Sequence, residues 1–347
     1  MKMNKLGRTD ISVSRICLGT MTFGEQNTER DGHDQLDLAV EYGVNFLDSA
    51  EMYSFPASAE TYGRSEEIVG TWMKKKGSRD KIVIATKIVG PGPRFAHIRD
   101  GGLKFSKAHV KQAVEDSLRR LQTDYIDLYQ THWPERTANY FGKLDYEHDD
   151  NDDQWTPFEE TLDAMDEQVR AGNIRAFGVS NETPWGLMAH LQLAETKGLP
   201  RAASIQNPYS LINRVFDVGH SEIAIREDCG LLAYSPLSFG VLSGKYLNGQ
   251  VPEGSRHKLF PDFMRYFMPN GVRATEAYVA LARKHGLEPA GMALAFVNSR
   301  RFLTSNIIGA TTLEQLKSNL KSEELVLSDE ILAEIQAIHQ SHSNPAP

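Results

Sequence analysis

One pattern recurs along the chain: a short β-rich run of hydrophobic residues, a polar loop, and then a segment with helical periodicity. Eight such β-rich runs occur, at Ile16–Gly19, Val44–Ala50, Lys81–Lys87, Tyr125–His132, Asn173–Asn181, Ala203–Asn207, Gly230–Leu237 and Asn306–Ala310. Strands that alternate with helices predict a parallel sheet with right-handed crossovers. Eight strands are enough to close a barrel, whereas an open doubly wound sheet usually has fewer.

The clearest helical segment is Lys107–Leu121, where apolar residues recur at helical spacing beside lysines and arginines. Similar periodicity predicts helices at Phe158–Ala171, Pro184–Lys197 and Thr275–His285. Prolines are favoured in first turns and glycines just past helix ends. The residues in those places are Pro157, Pro184, Gly172, Gly198 and Gly286.

The remaining segments complete the predicted fold. Residues 2–13 predict a hairpin around the turn Gly7–Asp10. An open dinucleotide-binding sheet would carry a G-x-G-x-x-G motif after an early strand, and none of the early β-rich runs is followed by one. We therefore expect one α/β domain over residues 1–347, a (β/α)8 TIM barrel with an N-terminal β-hairpin cap. Long loops follow the fourth and seventh runs, at Trp133–Thr156 and Ser238–Arg273. Loops after barrel strands lie on the face that carries active sites.

Charge and residue spacing exclude several classes of binding partner. The formal net charge is −8, which disfavours nucleic acid. The two cysteines, Cys17 and Cys229, show no pairing or metal spacing, no histidine pair is spaced for a metal, and no apolar run is long enough for a bilayer. The first residues lack the apolar stretch of a signal peptide. A cytoplasmic protein without metal, membrane or nucleic-acid partner is expected, and its oligomeric state stays open.

Polar side chains stand at the end of nearly every β-rich run. They include Asp48 and Tyr53 after the second run, Lys87 after the third and His132 after the fourth. Taken singly, each has an ordinary structural explanation, such as a cap, a solvated strand end or a core histidine. Together they would face one another across the mouth of a barrel, which favours a site.

These four residues suit carbonyl chemistry. A tyrosine has a pKa of about 10, and a nearby lysine ammonium is expected to lower it. A carboxylate can hold that ammonium in place, and a histidine can polarise a carbonyl oxygen that gains negative charge.

Seven segments resemble the aldo-keto reductase superfamily, in order and over nearly the whole chain: Gly19–Gly24, Asp48–Tyr53, Thr86–Lys87, Asp127–Pro134, Gly178–Asn181, Ala233–Leu237 and Ile308–Leu316. Within it the chain most resembles the bacterial Tas-type branch, which is related to the potassium-channel β-subunits. The channel branch has an acidic residue where Ser318 stands and lacks the histidine found here at His132.

The resemblance implies a catalytic tetrad of Asp48, Tyr53, Lys87 and His132, with NADPH or NADP+ as cofactor and a small carbonyl compound as substrate. Around the nicotinamide end it implies Thr20, Met21, Asp48, Ser180, Asn181, Gln206 and Tyr234. For the pyrophosphate it implies Ser235, Pro236, Leu237, Ser238, Gly240, Leu242, Gly244 and Lys245. For the adenosine and its 2′-phosphate it implies Arg256, Gly309, Thr311, Gln315 and Asn319.

Three functions stay open at this point. The first is NADPH-dependent reduction of an aldehyde or ketone, with Tyr53 as proton donor. The second is an NADPH-binding redox sensor that reports to a partner protein, which would not need an intact tetrad. The third is an aldolase or isomerase that uses Lys87 for a Schiff base, which the tyrosine–lysine pairing disfavours.

Overall fold

The computed structural model describes residues 1–347, and its strands form two sheets. The strands are β1 (Met3–Lys5), β2 (Ser12–Ser14), β3 (Ile16–Gly19), β4 (Phe46–Asp48), β5 (Val83–Ile88), β6 (Ile126–Thr131), β7 (Ile174–Ser180), β8 (Ala202–Pro208), β9 (Gly230–Tyr234) and β10 (Leu303–Ile308). β1 and β2 form an antiparallel hairpin. β3 to β10 form a closed barrel, because β10 pairs in parallel with both β9 and β3. The predicted eight-stranded barrel with a hairpin is confirmed.

Helices connect successive barrel strands, and two more helices follow the last strand. They are α1 (Glu29–Glu41), α2 (Arg64–Lys76), α3 (Lys107–Leu121), α4 (Phe158–Arg170), α5 (Pro184–Lys197), α6 (Val215–Gly219), α7 (Ser221–Arg226), α8 (Arg256–Leu259), α9 (Pro269–Lys284), α10 (Pro289–Asn298), α11 (Leu313–Leu320) and α12 (Asp329–Ser341). The predicted bounds of α3 and α5 are confirmed. Gly198 ends α5 with a φ of 67°, a left-handed conformation that glycine adopts without steric cost.

Several bounds differ from the sequence prediction. β10 begins at Leu303 rather than Asn306, and α9 begins at Pro269 rather than Thr275. β4 stops at Asp48, yet the backbone N–H of Ser49 still donates to the carbonyl of Ala85. Hydrophobic runs therefore predict which elements exist, while hydrogen bonds to neighbouring strands decide where each one ends.

The hairpin closes the N-terminal end of the barrel. Leu6, Ile11 and Val13 are buried against the residues that fill the lower barrel interior. Gly7 has a φ of +57°, and a Cβ there would collide with the carbonyl oxygen of Ala203. Glycine is needed at this turn because the hairpin backbone lies directly on the barrel.

The two long segments differ in structure. Residues 133–156 contain neither helix nor strand. The segment after β9 is more ordered than predicted, since it contains 3-10 turns at Ser238–Ser243 and Leu247–Gly249 and the short helix α8. No helix in the structure combines the length and apolar character that crossing a membrane requires.

Candidate active site

A buried ion pair lies at the C-terminal end of the barrel. Lys87 Nζ donates to Asp48 Oδ2 at 2.7 Å and to the backbone carbonyl of Ser49 at 2.6 Å. The other carboxylate oxygen of Asp48 accepts from Gln206 Nε2 at 2.8 Å. Lys87 is 0% exposed, so its charge depends on these partners. The pair joins β4 to β5, and Gln206 extends it across the barrel from β8.

Tyr53 and His132 lie next to this pair. Lys87 Nζ is 5.3 Å from the centre of the Tyr53 ring. The rings of Tyr53 and His132 meet edge to face, with centroids 5.7 Å apart. His132 directly follows β6, and its backbone N–H donates to the carbonyl of Ile88 at 3.0 Å. The structure thus brings together the four residues of the tetrad predicted from the sequence.

Tyr53 is held in its protonated form. Burial raises the pKa of its phenol well above the ordinary value, and the Asp48 carboxylate adds to the shift, while Arg256 opposes it. The expectation that Lys87 lowers this pKa is therefore wrong for this structure. The Lys87 ammonium, paired with Asp48 at 2.7 Å, does not offset the effects of burial and of the Asp48 carboxylate on the phenol.

His132 is neutral. Burial and the nearby Lys87 ammonium lower the pKa of its imidazole well below the ordinary value. Its Nδ1 is buried and makes no hydrogen bond within the protein. A neutral imidazole carries one N–H and can donate a hydrogen bond without delivering a charge to the site.

Polar residues from β7, β8 and β9 join at the same end of the barrel. The hydroxyl of Tyr234 donates to Asn181 Oδ1 at 2.7 Å, and Asn181 Nδ2 donates to the carbonyl of His132 at 2.9 Å. Ser180 Oγ donates to the carbonyl of Gln206 at 2.8 Å. Asn181 therefore links the residue predicted to stack on nicotinamide to the histidine of the tetrad.

Thr20 and Met21 follow β3 on the other side of Asp48. The hydroxyl of Thr20 donates to the backbone carbonyl of Asp48 at 3.1 Å and lies 2.7 Å from Ser65 Oγ. Thr20 is buried and Met21 is half-buried. The threonine hydroxyl thus makes its hydrogen bonds within the protein and stabilises the end of β4.

The turn after β9 has an unusual backbone. Five residues there have positive φ: Ser235 (52°), Ser238 (48°), Phe239 (58°), Gly240 (87°) and Gly244 (79°). Pro236, Leu237 and Leu242 lie in the same turn. A Cβ on Gly240 would lie only 3.1 Å from Lys245 Nζ, so glycine lets the ammonium approach the backbone. Left-handed turns can form concavities of backbone N–H groups that bind anions.

Arg256, in α8, has no carboxylate partner. Its guanidinium lies 4.5 Å from the centre of the Phe239 ring, and Nη2 donates to Gln26 Oε1 at 3.3 Å. Burial lowers the pKa of Arg256 to about 10. Lys245 likewise has no carboxylate partner, and its Nζ lies 5.1 Å from the centre of the Tyr246 ring. Two cations without acidic partners beside a left-handed turn suit the phosphates of a dinucleotide.

The end of β10 completes this side. The backbone N–H of Thr311 donates to Gln315 Oε1 at 3.1 Å, and Asn319 Nδ2 donates to the carbonyl of Gly309 at 3.2 Å. Gln315 and Ser318 are exposed. Four of the residues predicted for the adenosine therefore lie between the end of β10 and the last turn of α11, namely Gly309, Thr311, Gln315 and Asn319.

Sequence reasoning missed two arginines near the site. Arg99 donates to both carboxylate oxygens of the fully buried Glu51, at 2.7 and 2.8 Å. This pair braces the turn that carries Tyr53. Arg265 contacts Tyr234, and its Nε donates to the carbonyl of Pro347 at 2.5 Å. Glu51 lies within a segment that carried the resemblance, but nothing in the sequence distinguishes Arg265 from other arginines of the long loop.

The closed barrel, and a buried lysine–aspartate pair beside a tyrosine and a histidine, agree with the sequence comparison. The chain belongs to the aldo/keto reductase family, whose sequence pattern matches residues 15–340. It is thus an oxidoreductase of that family.

Individual relatives cover almost the full length. The chain is 50% identical to the Escherichia coli protein named Protein tas, over 100% of both chains. It is 31% identical to the NADH-specific methylglyoxal reductase of Escherichia coli, over 95% of each chain. It is 30% identical to a probable voltage-gated potassium channel subunit beta of Oryza sativa, over 98% of this chain and 97% of that one. The resemblance seen in the motifs is confirmed.

Proposed function

We propose that this protein reduces a small aldehyde or ketone to the alcohol with NADPH, and that Tyr53 donates the proton. The observation that carries this proposal is the Lys87–Asp48 pair, with its 2.7 Å contact, fixed beside Tyr53 and His132 at the barrel mouth. When bound, NADPH would supply a hydride to the carbonyl carbon. The protein must then place a proton on the carbonyl oxygen.

The side chains divide this task. The raised pKa of Tyr53 keeps its phenol protonated at neutral pH, so it has a proton to give. Neutral His132 can donate its N–H to the same oxygen as negative charge develops there. The ammonium of Lys87, 5.3 Å from the Tyr53 ring, would stabilise the phenolate that remains. Asp48 keeps that ammonium charged and in place.

The cofactor would lie across the barrel mouth. Ser180, Asn181 and Gln206 offer the donors and acceptors that a carboxamide needs, and Tyr234 offers a ring to stack on. The left-handed turn after β9, with Lys245, would hold the pyrophosphate. Thr311, Gln315 and Asn319 would surround the adenosine. A preference for NADPH is supported by Arg256, since a partly buried guanidinium without an acidic partner suits a 2′-phosphate.

The two other candidate functions have less support. A Schiff base on Lys87 requires a free amine, but Nζ is buried and bound to Asp48 and Ser49. A pure redox sensor would not require the assembled tetrad. We propose a single catalytic domain, and a reducing cytoplasm as its location because both cysteines are free and buried.

The test is turnover. The purified protein is mixed with NADPH and a panel that contains aromatic aldehydes, methylglyoxal and ketones, and loss of nicotinamide absorbance is followed. We expect turnover with at least one carbonyl class. If NADPH binds but no member of the panel is reduced, the reductase proposal is wrong and the binding-module alternative is favoured.

A further inference from the structure

Another buried ion pair lies next to the site, between the loops that follow β6 and β7. Arg136 Nη1 donates to Glu182 Oε2 at 3.0 Å, and Nη2 donates to Glu182 Oε1 at 2.5 Å. Arg136 is 8% exposed and Glu182 is 5% exposed. The guanidinium also lies 5.2 Å from the centre of the Phe158 ring and 4.9 Å from that of Trp185.

No other charge compensates this pair. Two histidines pack around it, and burial lowers the pKa of His190 and of His220 to about 4, so both are neutral at physiological pH. Glu182 makes no other ion pair, and neither does Arg136. Each member therefore depends on the other, and removing one leaves a buried charge unpaired.

The pair fixes the peptide that follows Asn181. The carbonyl of Glu182 accepts from Asn207 Nδ2 at 3.0 Å and from His220 Nε2 at 2.9 Å, while its side chain is bound to Arg136. Asn181 has a φ of 53°, in the left-handed region that non-glycine residues rarely adopt. Such a conformation persists where the surrounding contacts over-determine it.

The pair is also connected to the tetrad through Arg136. Arg136 lies in the segment that leaves β6 through His132, and the carbonyl of His132 accepts from Asn181 Nδ2 at 2.9 Å. Asn181 Oδ1 accepts from the Tyr234 hydroxyl at 2.7 Å. The amide of Asn181 is thus oriented by the side chains around it, and its backbone is held by the Arg136–Glu182 pair.

We infer that Arg136 and Glu182 are positioning residues: their ion pair holds Asn181 in the left-handed conformation that aims its amide at the nicotinamide carboxamide. This inference rests on the proposed function. It predicts that disturbing the pair weakens recognition of the nicotinamide end of the cofactor and slows the reaction, while the adenosine end is still bound normally.

Three variants disturb the pair in different ways. Arg136→Gln and Glu182→Gln each remove one charge. Gly186→Ala removes neither, but a Cβ at that position would collide with both Glu182 Oε1 and Arg136 Nη2. Gly186 lies in the first turn of α5, where alanine is a good helix former, so this variant is expected to fold. The control is Glu167→Gln, which breaks the exposed pair between Glu167 and Lys107, at 2.7 Å.

Calorimetry compares two ligands for each variant: NADPH, and 2′,5′-ADP, which has the adenosine end without nicotinamide. We expect the Kd of NADPH to rise roughly five- to tenfold, the effect of about one lost hydrogen bond, while the Kd of 2′,5′-ADP changes by less than about twofold. The kcat for a carbonyl substrate should fall by about tenfold or more. Arg136→Lys, which keeps the charge, should recover part of the loss.

Two results would overturn the inference. Parallel weakening of both ligands would show that the pair only supports the fold, and wild-type values for both ligands and for kcat would show that it positions nothing. If the wild-type protein itself reduces no carbonyl, the proposed function fails instead. If the wild-type protein reduces a carbonyl and the variants behave like it, the proposed function stands and only this inference is wrong.

Discussion

At the scale of single residues, the protonation states of Tyr53 and His132 decide what the site can do. Burial raises the pKa of Tyr53 and lowers that of His132, so both are uncharged at neutral pH. The charge of the site resides in Lys87 and Asp48, which neutralise each other. The site therefore holds one transferable proton, on a phenol next to an ion pair.

Replacing Tyr53 with phenylalanine removes that proton and keeps the ring. We expect kcat for carbonyl reduction in Tyr53→Phe to fall by roughly two to four orders of magnitude, the usual contribution of general acid catalysis. NADPH affinity, measured by fluorescence quenching, should stay near the wild-type value. Turnover like that of the wild type would refute the assignment of Tyr53 as proton donor.

The second prediction at this scale concerns the preference for NADPH over NADH and its dependence on Arg256. A guanidinium can bind a 2′-phosphate through two hydrogen bonds, and NADH lacks that phosphate. We expect the wild type to prefer NADPH, and Arg256→Ala to reduce that preference by weakening NADPH binding alone. Titrations of both proteins with both cofactors provide the measurement, and Lys258→Ala, a change at an exposed residue of the same short helix, is the control. An unchanged preference in Arg256→Ala would mean that another cation reads the phosphate.

At the scale of elements, the segment 133–156 has two parts with different environments. Its start is buried: Trp133 is 4% exposed, and its ring lies 4.8 Å from His132 and 5.3 Å from Phe95 between centroids. Its middle is open, with Phe141 48% exposed and Tyr146 58% exposed. The acidic run 147–153 is also almost entirely exposed. The buried start of the segment thus forms an apolar surface next to the tetrad. Its exposed middle, residues 139–153, which we call the aromatic arm, suits a lid over an apolar substrate.

Shortening this arm tests its function as a lid. When residues 139–153 are replaced by a short Gly-Ser link, we expect KM to rise and the ranking of substrates to change, because the aromatic cover is lost while Trp133 remains. NADPH affinity should hold, since the residues proposed for the cofactor follow other strands. Unchanged kcat/KM for every carbonyl tested would rule out the lid.

At the scale of the whole molecule, buried neutral histidines make stability depend on pH. Burial lowers the pKa of both His190 and His220 to about 4, whereas the unfolded value is about 6.5. Below pH 6.5 these two histidines bind protons in the unfolded chain but stay neutral in the folded protein, so acidification favours unfolding. The stability that these groups contribute is present above pH 6.5 and is lost as the pH falls toward 4.

Urea unfolding at two pH values checks this prediction. Between pH 7 and pH 5 we expect the free energy of unfolding to drop by about 2 kcal/mol for each of the two histidines. His220→Gln should show a smaller drop over the same interval, although its stability at pH 7 is expected to be lower. A free energy of unfolding that is equal at both pH values in the wild type would contradict the assignment of neutral buried histidines.

The sequence by itself determined the barrel and predicted which four residues meet at its mouth. Hydrophobic runs and helical periodicity are local, so eight strands and the helices between them can be read from neighbouring residues. Parallel strands in a barrel place all their C-terminal ends on one face, which is why Asp48, Lys87 and His132 could be predicted to meet. Tyr53 was placed with them because it follows the second run, and the resemblance of seven segments to one family added the residues proposed for the cofactor.

Only the tertiary structure decided how these groups act on one another. The hydrogen bond from Gln206 to Asp48 spans 158 positions, and the pair of Arg136 with Glu182 spans 46. Such contacts form when barrel closure brings separate loops together. The pKa of Tyr53 was predicted with the wrong sign because burial and the effect of the Asp48 carboxylate depend on packing in three dimensions. Local pattern determines which residues reach the barrel mouth, and burial and charge pairing among distant segments determine their chemistry.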